Sequence, residues 1–447
     1  MRAYFFYKKH NTFSPSFSPT LLLRMQAKSL FLAGGALLAA TSGAQASGFQ
    51  IGLSGQKNIG MGGTGTGLYL DQAAQFYNPG AFAFVGYSSF QAGINMAVPR
   101  ITFRPEGGGT GQETLQNKNV FPFNGYAGFK VSDKFQVGLG AYVPFGSELH
   151  YGQGWSGRYT LTDIKLTSVY VQATAAYAIT PKLGIGAGLV VLAYGDVDLQ
   201  RDIPLQSQNG TTAHATLSGK ADHKVGYNVG IMYKPSDKLS FGASYRSAID
   251  AHVSGGDVRV SGIPAAAASS FTATGFSATL PLPDVYSFGV GVHPNDKLTL
   301  AFDANLVRWS KYKALDFAYT GGVLGGAGVT SSSSVRNYKD AVALRLGGQY
   351  KLTSGLSVRA GGFYDFACVR DGYLTPETPD ADRVGLTAGF TYEFSQRFGI
   401  DGSFLFEDFR QRSQSQADLV ANGTTDRIAG TYKTTISVPG VGVYVKF

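Results

Sequence analysis

The sequence predicts an all-β protein, a transmembrane antiparallel β-barrel of about fourteen strands with an N-terminal plug in its lumen. Segments of about ten residues with period-two alternation follow one another through the chain. Sixty glycines accompany 25 Tyr and 31 Phe but only two Trp, as suits curved, fully paired strands with aromatic girdles. The mean hydropathy of −0.02 excludes a bundle of membrane helices, since each needs about 20 apolar residues in a row.

The first 46 residues are expected to be a leader. Lys28 precedes an apolar stretch at residues 29–40, and Ala44-Gln45-Ala46 is a small-x-small cleavage site, which together indicate a secretory signal peptide. The residues before Met25 contain prolines and scattered aromatics, so Met25 is the expected translation start; an unusually long leading region is the alternative. The mature chain is expected to begin near Ser47.

Charge and cysteine content narrow the class of protein. Five of the 38 basic residues and none of the acidic ones precede Ser47, which leaves 33 basic and 29 acidic residues and a net charge of +4. So small an excess predicts no nucleic-acid partner. The only cysteine, Cys368, can form no internal disulfide, so an exported chain must be stabilised otherwise, as a closed barrel is by its inter-strand hydrogen bonds. We expect Cys368 to be an isolated thiol at a strand end.

Residues 47–86 form the predicted plug, or hatch. They are glycine-rich, lack alternation and end near Asn78-Pro79-Gly80. Residues 60–65 match G-x-G-x-x-G, but a dinucleotide-binding loop needs a buried strand before it, and residues 54–58 do not have that character. The glycines instead predict tight folding in a confined lumen. A short helix is expected over residues 70–77, with Pro79 enforcing its end.

Fourteen strands are predicted over residues 87–447. Residues 384–394 illustrate the pattern, because Leu386 and Phe390 share one face and Thr387 and Thr391 the other. A soluble sandwich is the alternative, although its strands would be shorter. Tight turns alternate with long connections, as in barrels with short periplasmic turns and long outer loops. The strands are predicted at 87–98, 121–131, 135–145, 166–179, 184–201, 224–234, 239–249, 284–293, 298–312, 338–352, 356–366, 384–394, 398–409 and 432–447.

Several motifs together resemble one family, the long-chain fatty acid and hydrocarbon transporters of the FadL/TodX type. The resemblance covers essentially the whole mature chain. The family's box usually ends in alanine, where this chain has Gly80. The motifs are Gly48-Phe49-Gln50, the glycine cluster at residues 60–67, Phe76-Tyr77-Asn78-Pro79-Gly80, Tyr142-Val143-Pro144-Phe145-Gly146, Trp155-Ser156-Gly157-Arg158-Tyr159 and the terminal Phe447.

The resemblance implies a monomeric barrel in the outer membrane of a Gram-negative bacterium, which takes up hydrophobic molecules passively. Long-chain fatty acids are the expected substrates; aromatic hydrocarbons or alkanes are the alternative, and a general porin or an adhesive barrel is the alternative from another class. Ligand binding is expected to rearrange the hatch, with Phe49, Asn78, Pro79 and Gly80 as its gate residues. The expected partners are such small molecules, membrane lipid and lipopolysaccharide.

The resemblance also implies sideways release through a gap beside a kinked third strand. Pro144 lies in that strand and removes a ladder hydrogen bond. Gly138, Gly140 and Gly146 are expected to weaken the same strand, and with Pro144 and Phe145 they mark the predicted opening. The alternative is that Pro144 simply ends the strand at the outer rim.

A fatty acid carboxylate in an apolar pocket needs a cationic partner. Arg158, in one motif with Trp155, is the first candidate, and an ordinary loop arginine on lipopolysaccharide is its alternative. Arg345 and Arg359 face the lumen if the alternation holds, where they would bind ligand or pair with plug carboxylates such as Asp71. The tail is assigned to apolar loop residues, with loop packing as the alternative: Phe271, Phe276, Leu280, Leu282 and residues 265–268. Without a catalytic triad, nucleophile elbow or metal spacing, the sequence predicts no enzyme, metal or cofactor.

Overall fold

A computed structural model describes residues 48–109, 111–116, 118–206, 210–424 and 426–447. The predicted leader, the start at Met25 and the cleavage site lie outside the described residues.

Fourteen long strands form the wall of the molecule, and all fourteen correspond to predicted strands. Their boundaries differ from the prediction mainly at the outer ends. The strands are β1 (Ser89–Asn95), β2 (Phe123–Lys130), β3 (Phe135–His150), β4 (Asp163–Thr180), β5 (Leu183–Gln206), β6 (Lys224–Ser236), β7 (Leu239–Arg246), β8 (Val285–Val292), β9 (Leu298–Val307), β10 (Ala341–Lys351), β11 (Leu356–Asp365), β12 (Arg383–Glu393), β13 (Phe398–Phe409) and β14 (Gly430–Lys446).

The strands close into a ring. Each pairs antiparallel with the next in the chain. The last strand, β14, pairs with β1 from Ser89 opposite Lys446 to Asn95 opposite Gly440. Closure removes the sheet edges that would otherwise expose unpaired backbone groups. The predicted fourteen-stranded antiparallel barrel is confirmed.

The alternation within a strand decides which face of the wall is apolar. In β12 the side chains of Leu386 and Phe390 are 61% and 43% exposed, whereas Thr387 and Thr391 between them are buried. Apolar residues therefore point outward and polar residues inward. A soluble sandwich has the opposite arrangement, so that alternative is wrong.

The long connections contain strands that the sequence analysis did not predict. Within the described residues, eight further strands of 2 to 13 residues extend the wall beyond the ring, and they are called the loop strands below. They lie in connections that the sequence analysis treated as loops, but their backbone groups still need partners. The loop strands are Val98–Pro105, Glu113–Thr114, Thr212–Lys220, Ile249–Ser261, Gly275–Leu282, Ala314–Thr320, Ser331–Val335 and Arg412–Gln414.

In the part of the chain that the structure describes, helices are few and short. The α-helices there are α1 (Gln56–Gly60), α2 (Ala74–Tyr77), α3 (Pro79–Phe82) and α4 (Gln416–Ala421), and two 3-10 turns cover Ala265–Ser270 and Trp309–Lys311. The helix predicted over residues 70–77 is thus confined to α2. Pro79 is the first residue of α3, where a missing N–H costs nothing. None of the described helices has both the length and the apolar character needed to cross a membrane.

The N-terminal segment, residues 48–86, contacts strands on every side of the ring. Asp303 of β9 accepts hydrogen bonds from the Gly65 and Thr66 N–H groups, each at 2.8 Å. On other sides, Gln172 of β4 donates to the Gln75 carbonyl at 2.7 Å, and the Thr387 hydroxyl of β12 accepts from Gly62 N–H at 2.9 Å. These are the contacts that a segment inside the ring would make. Its function as a hatch remains a prediction.

Candidate functional site

The ladder between β2 and β3 stops partway along β3. Regular pairing runs from Lys130 opposite Gln136 to Asn124 opposite Tyr142, whereas β3 continues to His150. The register of β3 against β4 also shifts between Tyr142 and Phe145. Pro144 lies within this shift, as expected for a residue that cannot donate to a ladder. The alternative in which Pro144 ends the strand is wrong, because β3 extends six residues beyond it.

The glycines of β3 differ in their environments. Gly138 and Gly140 lie in regularly paired positions, so they do not interrupt the ladder. A Cβ on Gly138 would lie 2.4 Å from Gln75 Oε1, which shows that this glycine makes room for the N-terminal segment. Gly146 lies beyond the end of the β2 pairing.

The N-terminal segment covers β3 where β2 no longer pairs with it. Ile51 N–H donates to the Pro144 carbonyl at 2.8 Å, and Gly146 N–H donates to the Phe49 carbonyl at 3.1 Å. Gln50 lies opposite Phe145 as an antiparallel bridge. Residues 49–51 therefore act as a short partner strand to β3.

An inner cavity of about 420 Å³ lies beside this break. Its lining joins the interior of the ring to the outer surface of the wall. Arg345 and Asp365 line it from β10 and β11, and Val143 lines it at the break in β3. Phe121 and Phe123 line it as well, and their side chains are 56% and 40% exposed. The lining thus includes residues of the ring interior and exposed residues at the start of β2.

An outer cavity of about 260 Å³ lies among the outer ends of β3–β5 and the loop strands. Its lining is mostly apolar and includes three of the predicted tail-binding residues, Phe276, Leu280 and Leu282. Phe271 and residues 265–268 do not line either cavity. Phe271 instead forms a bridge with Leu324 in the outer loops.

Phe49 lies where the two cavities meet. It lines both of them, as do Ser147, Leu166, Thr167, Glu377 and Thr378. Its ring packs edge-on against Trp309 with a centroid separation of 4.8 Å, and at 6.3 Å it contacts both Phe145 and Tyr312. The neighbouring Gly48 N–H donates to the buried carboxylate of Asp380 at 3.3 Å. The predicted gate residue Phe49 is therefore held by an aromatic cluster and by a backbone tether.

The Asn78-Pro79-Gly80 box fastens the segment to β6. The Asn78 side chain accepts from Gly80 N–H at 2.9 Å, which caps α3. Its Nδ2 donates to the Thr66 carbonyl at 2.7 Å and to the Ile231 carbonyl of β6 at 3.0 Å. The box therefore connects the N-terminal segment to itself and to the ring.

Arg336 is a buried cation in the outer cavity, and the sequence analysis did not select it. Its side chain is 4% exposed, and Nη2 contacts Glu377 at 2.5 Å. Nε and Nη1 have no hydrogen-bond partner among the described residues. Burial has the largest single effect on the pKa of Arg336 and lowers it, but Glu377, Tyr312, Tyr338 and Asp426 together outweigh burial and raise the pKa, so the guanidinium is charged. This connection shows no alternation, so no sequence signal identifies the residue.

The predicted arginines lie in three different environments. Arg158 and Trp155 lie in an outer loop and line neither cavity. Arg158 donates to the Trp155 carbonyl at 3.3 Å, and its Nε lies 3.9 Å from a carboxylate oxygen of Asp202 in β5. Arg345 lines the inner cavity and pairs with Asp365 at 3.2 Å. Arg359 donates to Gln349 at 2.8 Å. Asp71, the plug carboxylate suggested as their partner, pairs instead with Lys57 at 3.7 Å.

Comparison with known proteins identifies a family model that matches residues 37–447, described as outer membrane protein transport protein (OMPP1/FadL/TodX). A 47 kDa outer membrane protein of Pasteurella multocida is 25% identical over 395 residues, covering 83% of this chain and 90% of the relative. A long-chain fatty acid transport protein of Salmonella typhi is 22% identical, covering 80% and 86% of the two chains.

Solved structures share the fold. A FadL homologue of Pseudomonas aeruginosa superposes with a TM-score of 0.77 at 20% identity, covering 90% of this chain and all of that chain. The toluene transporter TodX of P. putida superposes with a TM-score of 0.66 at 16% identity, covering 91% and 99%. Both likenesses support the barrel architecture.

Proposed function

This chain belongs to the family of outer membrane protein transport proteins (OMPP1/FadL/TodX), and we propose that it is a passive channel for long-chain fatty acids that leave sideways through the barrel wall. Family membership places it in the outer membrane of a Gram-negative bacterium. The ring closes through its own strands, which supports a monomer. We also propose that outer-loop cations such as Arg158 contact lipopolysaccharide.

One observation carries this proposal: the inner cavity extends from the lumen to exposed residues of the wall at the break between β2 and β3. A ligand in contact with Arg345 and Val143 is already beside Phe121 on the outer surface. An apolar molecule that leaves here enters the bilayer without crossing water, which avoids the cost of hydrating its surface. A porin needs an aqueous path along the barrel axis instead.

The choice of a fatty acid rests on Arg336. The Arg336 guanidinium pairs with Glu377 through Nη2, but its Nε and Nη1 have no hydrogen-bond partner among the described residues. An apolar cavity with such donors suits an apolar tail with an anionic end. A carboxylate would satisfy donors that burial otherwise leaves without a partner. Toluene-like molecules have no group to use them. The fatty acid transport function of the Salmonella typhi relative is consistent with this choice.

Passage from the outer to the inner cavity requires the N-terminal segment to move. Phe49 lies where the cavities meet, and residues 49–51 occupy β3 beside the exit. Ligand that packs against Phe49 from the outer cavity competes with its contacts to Trp309 and Tyr312. Binding would thereby favour the rearranged segment, because ligand shifts a conformational equilibrium by its differential affinity.

The test compares an acid with its neutral ester. Binding of oleate and methyl oleate to the detergent-purified protein is measured by native mass spectrometry and titration. Arg336→Gln should weaken oleate binding about 10- to 100-fold, since a hydrogen bond to a charged group contributes about 1.5–3 kcal/mol. Methyl oleate binding should stay unchanged. Arg259→Gln, on an exposed loop strand away from both cavities, is the matched control.

Other outcomes would redirect the proposal. Equal binding of acid and ester by wild type and Arg336→Gln would favour uncharged hydrocarbons as substrates. Loss of oleate binding in Arg158→Gln alone would move the anchor to the outer loop. An empty barrel that passes sugars in liposome swelling would refute the hydrophobic channel and favour a porin.

A further inference from the structure

Arg246 is a further arginine of the inner cavity, and the proposed pathway gives it no function. It is the last residue of β7, is half-buried and lines the inner cavity. Nη1 donates to the Tyr142 hydroxyl and Nη2 to the Phe76 carbonyl, both at 2.6 Å. Its guanidinium carbon lies 4.1 Å from the centroid of the Phe76 ring.

The partners of Arg246 are all neutral. Among the described residues, no carboxylate lies within ion-pair distance of it. The other arginines of the inner cavity differ, since Arg345 and Arg383 both pair with Asp365, at 3.2 and 2.9 Å. A half-buried guanidinium without an anion retains an uncompensated charge. It also retains donors, because five N–H groups are available and two make the bonds given above.

We propose that Arg246 is a second carboxylate-binding station, which holds the acid in the inner cavity after it has passed Phe49. This inference rests on the proposed function and adds a site within the same pathway. The station lies beside the exit, because Tyr142 is the last residue of β3 in regular register with both neighbours. A carboxylate on Arg246 leaves the apolar tail free to lie against Val143 and Phe123 at the break.

The position also connects the ligand to the hatch. Phe76 belongs to α2 of the N-terminal segment, whereas Tyr142 belongs to the wall, and Arg246 holds both. A carboxylate that takes guanidinium donors competes with the Phe76 carbonyl for them. Binding of the acid therefore weakens the hydrogen bond between Arg246 of β7 and the Phe76 carbonyl of the N-terminal segment. This hydrogen bond lies next to Tyr142, where the break in β3 begins.

The experiment counts bound acid with a medium-chain probe, decanoate, small enough for each cavity to hold one molecule. Native mass spectrometry of the wild-type full-length mature protein should show two bound decanoates. Arg246→Gln should show one, with the affinity of the lost site lowered about tenfold or more. Arg246→Lys, which retains the positive charge, should restore the second molecule. Methyl decanoate should bind all three proteins alike, and Arg259→Gln should match wild type.

Two decanoates bound to Arg246→Gln would overturn the station. Equal loss of acid and ester in Arg246→Gln would also overturn it, because that pattern indicates damage to the cavity rather than a lost charge. Failure of the proposed function is distinguishable. If Arg336→Gln still binds two decanoates while Arg246→Gln binds one, Arg336 is not the carboxylate-binding residue of the outer cavity, and the proposal for Arg246 is supported. If wild type binds no decanoate, both are wrong.

Discussion

Gly80 lies in α3 directly against the backbone of β6. A Cβ at this position would lie 2.6 Å from the Cα of Ile231 and 2.7 Å from the Gly230 carbonyl oxygen. The backbone of β6 cannot move away without a large cost in free energy, because hydrogen bonds hold it to the strands on both sides. The family usually has alanine at the position of Gly80. An alanine there would not fit the distance between α3 and the backbone of β6.

Gly80→Ala should therefore loosen the N-terminal segment. We expect an overpacking cost of about 1–3 kcal/mol and a measurable increase in sugar permeability in liposome swelling. Gly52→Ala is the matched control in the same segment, because a Cβ there meets nothing within 4 Å. Swelling rates that are equal for the two variants would contradict the tight fit.

At the scale of elements, the proposed pathway requires the short strand of residues 49–51 to leave β3 before a ligand can pass. It is held by two backbone hydrogen bonds and the aromatic contacts of Phe49. The ring strand beside it, β3, pairs with β4 from Phe135 to His150 with one interruption between Tyr142 and Phe145. Differences in local hydrogen bonding of this kind make one element mobile while the rest stays folded.

Locking this strand to β3 should stop uptake. Gln50 and Phe145 are opposite each other, and the Cα separation of about 4.5–5.5 Å in such pairs suits a disulfide. We expect oxidised Gln50→Cys/Phe145→Cys, in a Cys368→Ser background, to take up labelled fatty acid at least about tenfold more slowly than the reduced protein. Reduction should restore the rate.

Two controls accompany the cross-link. Gln50→Cys alone in the same background should not respond to oxidation, since it has no partner thiol. If the cross-linked protein transports at the reduced rate, passage does not require residues 49–51 to leave β3.

At the scale of the whole molecule, the ring exposes apolar side chains to its surroundings and turns polar ones inward, so lipid is the solvent that it requires. Leu386 and Val420 are both strongly exposed, at 61% and 72%, but Leu386 lies in the middle of β12 and Val420 lies on α4 in an outer connection. Only the former faces the hydrocarbon of the bilayer.

Leu386→Arg should lower the free energy of unfolding in lipid vesicles by about 2–4 kcal/mol, the cost of an arginine at the bilayer midplane. Val420→Arg should change it by less than about 0.5 kcal/mol. Urea titration in vesicles measures both values. An equal effect of the two substitutions would mean that β12 does not face lipid at Leu386.

The residues of the pathway differ in how far sequence could identify them. Pro144 and Phe49 could be selected, because a proline in a strand and a motif at the start of the predicted plug are local signals. Arg336 and Arg246 could not. Arg336 lies in a connection without alternation, and Arg246 ends an ordinary strand; their partners Glu377 and Phe76 are remote in sequence. Arg158 was favoured by its motif, but folding places it outside both cavities.

The closed ring of fourteen strands could be predicted from the amino-acid sequence, because period-two alternation is present within each strand and a strand in lipid must pair both its edges. The place where the ladder of β3 breaks, the residues that cover the break and the arginines without a paired anion could be seen only in the folded chain. These properties depend on pairs of groups far apart in the chain. A local sequence pattern does not show whether a carboxylate remote in the chain lies beside a guanidinium. It also does not show where the pairing between two strands ends.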